Sequence, residues 1–434
     1  MRVAIAYGRG ELEIDLPDDV PVQVITPAET PGLPDERAAL LEAMRHPIGC
    51  PPLREIIPAG ARVAVVFSDI TRPMPNDRVL PVLLEEIESA GAGEVILINA
   101  LGTHRPNSPE ELERMLGKEV VSRYPIIQHD PFAEGELKYL GESSVGHPLW
   151  VNRTFAEADV RILTGFIEPH MFAGFSGGPK AVLPGIAGER TILLNHSAPM
   201  LSHPQATWGV TRGNPIWEEM LEMAVLANPD FLLNVTLNAR REITGVFAGA
   251  LRPAHARGVA FAREHAMVPV RQRFDIVITS NAGYPLDMNV YQAVKGMSVA
   301  AEVVKPGGHI IVAAECWDGV PDHGEYKRLL HAGRDPAHLL EMMSRPDFLV
   351  RDQWEVAIQA RVQVMAHVYL KCSYLSDEEV RKIHLTPCHD IGALVRELVR
   401  ELGSPSICVL PQGPLVVPYL PSSETSHAAK GVEP

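Results

Sequence analysis

The chain is 434 residues long, enough for two or three domains that each bury a core of their own. With 46% hydrophobic and 21% charged residues it has an ordinary globular composition, and its 38 prolines are spread along the chain rather than massed into a disordered tract. A formal net charge of −15 argues against a nucleic-acid partner, which would need a basic patch, and no apolar run approaches the ~20 residues of a membrane span.

From the start, MRVAIAYGRG turns polar too soon for a secretory signal. Gly8-Arg9-Gly10 is the only GxG after a plausible strand, and Glu13 stands where a dinucleotide fingerprint has its third glycine. Near-continuous apolar runs at Arg62–Phe67, Glu94–Ala100, Val160–Thr164 and Phe231–Val235 predict parallel strands buried on both faces. Leucines and valines at helical spacing predict a helix over Asp77–Ala90, stopped near Gly91. The pattern restarts after Val268-Pro269 with Phe274–Thr279, a helix from about Val290, and His309–Ala313. Strand, helix, strand implies right-handed crossovers, so the expected fold is two α/β domains with mainly parallel sheets. The N-terminal, cofactor-binding domain is expected over 1–268 and the C-terminal one over 269–397. Residues 398–420, including the strand-like Ser406–Leu410, are expected to rejoin the first domain, and 421–434 to form a mobile tail. Five scattered cysteines (Cys50, Cys316, Cys372, Cys388, Cys408) with no CxxC pair fit a reducing, cytoplasmic setting.

Ligands of open α/β sheets bind beyond the carboxyl ends of the strands, and polar outliers cluster there. Asp69, Thr71 and Arg72 follow the first run; His104 and Arg105 follow the second. After Phe274–Thr279 come Ser280–Pro285 and then Tyr291, Gln292 and Lys295. After Val160–Thr164 comes GFIEPHMFAGFSGGPKAVLPG (165–185), which brings His170, Gly174, Gly177, Gly178 and Lys180 together, with Asn195-His196 beyond. Clustered glycines free backbone N–H groups for an anion and admit a bulky ligand, and an amine beside them can neutralise a phosphate or bond to a cofactor. A P-loop is excluded, because Lys180 is preceded by Pro179 and followed by Ala181.

Each feature alone has a plainer explanation. Asp69 and Thr71 would also serve as an N-cap, His104 as an exposed loop histidine, Tyr291 and Gln292 as an outer helix face, Lys295 as a solvated lysine, and the glycines as a surface loop. Coincidence at four strand ends is harder to accept. His104 and His170 suit opposite proton transfers near neutrality, His196 suits a metal, and Arg72 with Lys295 suits a carboxylate. Cys388-His389 is a weaker candidate metal pair.

The segments SDITRPMPN, GTHRPNSPEEL, GFIEPHMFAGFSGGPKAVLPGIAG, NHS, SNAGYPLDMNVYQAVKGM and DQW, in this order, resemble the nickel-dependent lactate racemase family over nearly the whole chain to about residue 415. The resemblance implies a nickel-pincer nucleotide, a pyridinium-3-thioamide-5-thiocarboxylic acid mononucleotide whose sulfur arms clasp Ni, attached covalently at Lys180. It implies His196 as the protein ligand to nickel, and His104 with His170 as paired acid and base. Arg72, Tyr291, Gln292, Lys295 and Trp354 are implied to contact the substrate, while Asp69, Thr71, Ser176, Gly177 and Gly178 help seat the nucleotide. The implied site lies in the interdomain cleft.

The implied reaction is inversion of the C2 centre of a 2-hydroxy acid by hydride transfer to the cofactor, through a 2-keto acid. Two histidines supplying about 10²–10⁴-fold fall short of the ~10⁶ or more that slow reactions need, so a hydride acceptor that avoids a carbanion is required. Two departures point beyond lactate to another 2-hydroxy acid. Pro179 precedes Lys180 where lactate-type members carry arginine, and Glu315–Gly319 puts Trp317 into a loop that usually holds small residues. A nicotinamide-dependent 2-hydroxyacid dehydrogenase and a non-catalytic nickel-cofactor carrier are the alternatives. The sequence leaves open the oligomeric state and which histidine serves which enantiomer.

Overall fold

The computed structural model describes residues 1–322, 324–345 and 347–421, so the expected tail lies outside the described residues except for Pro421. The apolar runs become strands because only a sheet covered on both faces buries every successive side chain. Arg62–Ser68 buries its five central residues, and Phe231–Leu237 all but its last. Within residues 29–265 six strands lie in the order Ile243–Gly249, Phe231–Leu237, Val160–Phe166, Arg62–Ser68, Glu94–Ala100, Ile126–Gln128. All pairs are parallel except the edge strand Ile243–Gly249, which runs antiparallel to Phe231–Leu237. One face packs on Leu40, Val79, Leu83 and Leu116, and the other on Phe155, Val182, Ala224 and Leu251. The expected helix is Asn76–Ser89, which buries Val79, Leu80, Leu83 and Ile87 on one side.

Chain order and sheet order diverge at one place that matters. From Arg62–Ser68 the chain moves outward through Glu94–Ala100 to Ile126–Gln128, then returns to place Val160–Phe166 on the other side of the first strand. Such a reversal of strand order is where open α/β sheets bind their ligands, beyond the carboxyl ends of the strands. Thr164 ties the pair from within, its hydroxyl donating to Val66 O at 2.8 Å.

The other unit joins Met1–Ala28 to the chain from Ala266 onward. Its sheet runs Thr386–Pro387, His367–Lys371, Val304–Ala313, Phe274–Ser280, Ile407–Leu410, Val22–Val24, every pair parallel. Ile5, Ile276, Ile278, Ile311, Val395 and Val409 share its core.

This arrangement parts from the expected division at two points. Residues 398–420 do not return to the first sheet, because Ile407–Leu410 finds its backbone partners on Phe274–Ser280. Nor do the first 28 residues belong with 29–265: Val22–Val24 extends the second sheet through Ile407–Leu410, and Ala6 N–H bonds Pro411 O at 2.9 Å. No helix of the described residues is long and apolar enough to cross a membrane.

Candidate active site

Asp69 and His104 leave the carboxyl ends of neighbouring strands, and the structure brings them together. Asp69 is 2% exposed. Its carboxylate accepts from Thr71 Oγ at 2.9 and 3.1 Å and meets His104 Nδ1 at 2.9 Å. Burial works to raise the Asp69 carboxyl, but His104, Arg72 and the Thr71 hydroxyl outweigh it and hold the group below its ordinary value. The N-cap alternative does not occur, since Pro75 starts the next helix without a side-chain cap. The His104 loop is anchored on both sides. Gly102 N–H bonds Gly185 O at 2.9 Å, and Arg105 holds Glu111 through bonds of 2.7 and 2.8 Å. Glu111 also closes a capping box with Ser108, and the Arg105 bond leads the effects that lower its carboxyl to about 2.

His170 sits in a two-residue ladder with its partner at Gly174, and Ala173 N–H donates to His170 Nδ1 at 3.3 Å. The Phe172 ring meets both His170 and His196 edge-on, with centroids 4.6 and 5.0 Å away, and Lys180 Nζ lies 5.6 Å from its centroid. One aromatic ring thus gathers three of the functional groups that the sequence singled out. His196 follows helix Glu189–Asn195 and is 3% exposed. Burial, with help from the Lys180 cation, pushes its imidazole well below the usual value, so it is neutral at pH 7. Its neighbour Asn195 is pinned to Glu219 Oε2 at 2.8 Å and Ile216 O at 3.2 Å.

The glycine turn works differently from an anion cradle. Ser176 N–H bonds Glu168 O, Gly178 N–H bonds Asn234 Oδ1 at 2.8 Å, and Lys180 N–H bonds Gly177 O at 3.1 Å. Those donors are committed within the chain. The glycines instead permit close approach: a Cβ on Gly177 (φ +72°) would lie 2.6 Å from Asn234 Oδ1 and 2.9 Å from Phe166 O. On Gly178 it would lie 2.5 Å from the His255 ring, whose Nε2 donates to Ser176 O at 2.9 Å. His255 is fully shielded, and burial lowers it to about 4. The turn therefore fixes Lys180 by packing.

The remaining candidates belong to the other unit. Asn289 caps helix Val290–Ala301 through Gln292 N–H at 3.0 Å. Lys295 Nζ donates to Gln292 Oε1 at 2.8 Å, and Trp354 Nε1 donates to the Tyr291 hydroxyl at 2.9 Å. Tyr291 also packs edge-on against buried Tyr326, with centroids 5.1 Å apart. These four candidates form one polar and aromatic group. Cys388 is buried whereas His389 pairs with Asp377 at 3.2 Å, and among the described residues no three His, Cys, Asp or Glu side chains converge as a metal cluster. Sequence reasoning missed Phe172, Asn234 and His255. Asn234 carries a usable signal, a polar residue inside the apolar run FLLNV; His255 lies on an unremarkable helix and carries none.

Residues 7–209 match the family described as the lactate racemase N-terminal domain, and residues 270–417 the lactate racemase C-terminal domain. The lactate racemase of Thermoanaerobacterium thermosaccharolyticum is 36% identical over 422 residues, covering 96% of this chain and 98% of that protein. The lactate racemase of Lactiplantibacillus plantarum is 35% identical over 382 residues, covering 87% and 90%. The structure of the lactate racemase apoprotein from T. thermosaccharolyticum superposes with a TM-score of 0.91 over 96% of this chain and all of that one. A Thermotoga maritima protein at 20% identity shares the fold, with a TM-score of 0.70 over 91% of this chain and all of that one.

Proposed function

Because this chain belongs to the lactate racemase family, a family of isomerases, we propose that it inverts the C2 centre of a 2-hydroxy acid with a nickel-pincer nucleotide held at Lys180 and His196. The observation that carries the reading is the grouping of Lys180, His170 and His196 around Phe172. The residues fit such a group. A buried imidazole kept neutral is a competent nickel ligand, and a cofactor that brings its own sulfur donors needs only one from the protein. When bound, the group supplies an acceptor for hydride from C2, so no carbanion forms beside the carboxylate.

The chain's own residues handle protons and position. The Asp69 carboxylate accepts from His104 Nδ1–H, which leaves the Nε2 lone pair as the base for the substrate hydroxyl. His170 Nδ1 accepts from a backbone N–H, which puts the proton of neutral His170 on Nε2. For either enantiomer, the histidine that takes the hydroxyl proton becomes an imidazolium, and its partner, having entered the turnover protonated, returns a proton to the carbonyl oxygen of the keto acid. Ionised Asp69 then stabilises the His104 imidazolium. Arg72 and Lys295 are assigned to the substrate carboxylate, with Tyr291, Gln292 and Trp354 as substrate contacts. Asp69, Thr71 and the Ser176–Gly178 turn are assigned to seating the nucleotide, the turn by fixing Lys180. Chiral analysis of enantiopure 2-hydroxy acids incubated with cofactor-loaded protein tests this. Interconversion that disappears with Lys180→Ala is expected; interconversion that survives the substitution refutes the attachment.

A further inference from the structure

The residue before His196 is tied to a buried carboxylate to which the chemistry above gives no task. Glu219 lies on helix Pro215–Ala227 and is 4% exposed. A glutamate is seldom buried so deeply unless donors surround it, and here they come from two other segments. Its Oε1 accepts from the Ser143 hydroxyl at 2.7 Å, and His147 Nδ1 lies 2.7 Å from the same oxygen. Its Oε2 accepts from Asn195 Nδ2 at 2.8 Å. All of these residues belong to the unit of residues 29–265.

The two oxygens face different segments. Oε1 holds the turn 143–147 between strands Leu137–Glu142 and Pro148–Asn152, a turn that Ser143 N–H closes on His147 O at 2.9 Å. That turn does not depend on Glu219 alone, because Glu222 of the same helix holds Ser144 through bonds of 2.7 and 2.8 Å. Oε2 reaches the last residue of helix Glu189–Asn195, and His196 follows where that helix ends. Asn195 Nδ2 donates a second bond to Ile216 O at 3.2 Å, so its amide nitrogen serves two acceptors on one helix. Turning the amide over would set its oxygen against a carboxylate and a carbonyl, so one orientation is fixed.

A buried charge is weak evidence for stability, since apolar residues of similar size often serve a fold as well or better. A demand for position explains it, because a site works only when its ligands are held within about 0.5 Å of their working geometry. We infer that Glu219 is a positioning residue: through Asn195 it fixes the end of helix Glu189–Asn195, and with it the imidazole of His196. The inference rests on the reading above in which His196 holds nickel. Loss of an outer partner of this kind typically weakens metal retention about 10–100-fold with the ligands themselves untouched.

Release of nickel from cofactor-loaded protein into excess EDTA tests it, with the nucleotide adduct followed by intact mass and the thermal midpoint measured alongside. Glu219→Ala and Asn195→Ala should each release nickel at least about tenfold faster than the wild type while the adduct stays on the chain. The double variant should be no faster than either single one, because both remove the same bond. Glu219→Gln, which keeps an acceptor for Asn195 and a donor for Ser143, should return most of the retention. Glu222→Ala, which frees the same turn from the same helix, should release nickel at the wild-type rate even where it lowers the midpoint. Release that is unaltered in Asn195→Ala or in a folded Glu219→Ala overturns the positioning role while the cofactor reading stands. So does release that Glu222→Ala accelerates equally, or that Glu219→Gln does not slow. If the wild type takes up neither adduct nor nickel, the cofactor reading fails and this inference with it.

Discussion

At the scale of single residues, the pairing of His104 with a buried carboxylate is the arrangement that most constrains the chemistry. Asp69 fixes the tautomer and stays ionised, so Asp69→Asn should cut the racemisation rate by about 10²–10⁴-fold, the range a positioned acid–base group supplies, read by chiral chromatography of initial rates. On the proposed reading Lys180 and His196 divide the work of holding the cofactor, which two measurements separate. His196→Ala should keep the nucleotide adduct in the intact mass and lose nickel stoichiometry, whereas Lys180→Ala should lose the adduct. Nickel retained at full stoichiometry in His196→Ala would remove its role. Asp69 and His104 stood out in sequence as polar residues soon after an apolar run, and Lys180 by the glycine turn before it. Phe172 did not, since an aromatic residue in an apolar loop looks like core, and only its position between two histidines gives it meaning.

At the scale of elements, the glycine turn at 176–178 shows how a motif can be recognised with the wrong physical reason attached. Its composition suggested N–H groups aimed at an anion, but those of Ser176, Gly178 and Lys180 are used internally, and the demand for glycine comes from the closeness of Asn234, Phe166 and His255. Gly177→Ala should therefore destabilise the protein by about 1–3 kcal/mol through strain and overlap, and lower its thermal midpoint by a few degrees. An unchanged midpoint would mean that the turn relaxes freely. The strands Arg62–Ser68 and Glu94–Ala100 and helix Asn76–Ser89 were readable to within a residue or two, because continuous or periodic burial writes itself into composition, whereas Val304–Ala313 starts five residues before the expected His309. The three-residue strands Val22–Val24 and Ile126–Gln128 were not, being too short for any period to emerge.

At the scale of the whole molecule, what escaped the sequence is pairing between distant segments. The run 406–410 was visible as a strand, but its choice of Phe274–Ser280 and Val22–Val24 as neighbours depends on contacts across hundreds of residues. Acid sensitivity is another whole-molecule property. Burial lowers His255 to about 4 and lowers His129 as well, so both are neutral in the fold at a pH where the unfolded chain, with histidines near 6.5, takes up protons. Stability should fall as pH drops from about 6.5 toward 4, by up to roughly 3 kcal/mol from His255, and denaturant midpoints at stepped pH would measure it. A flat profile over that window would show that these histidines are protonated in the fold. The central claim is that the hydrogen on C2 leaves and returns without entering water. The most direct test is to give loaded enzyme an enantiopure 2-hydroxy acid deuterated at C2 in ordinary water and to read the label in the opposite enantiomer at early turnover. Retention of the deuterium is the predicted result; its replacement by solvent hydrogen would show that C2 is deprotonated and would contradict hydride transfer.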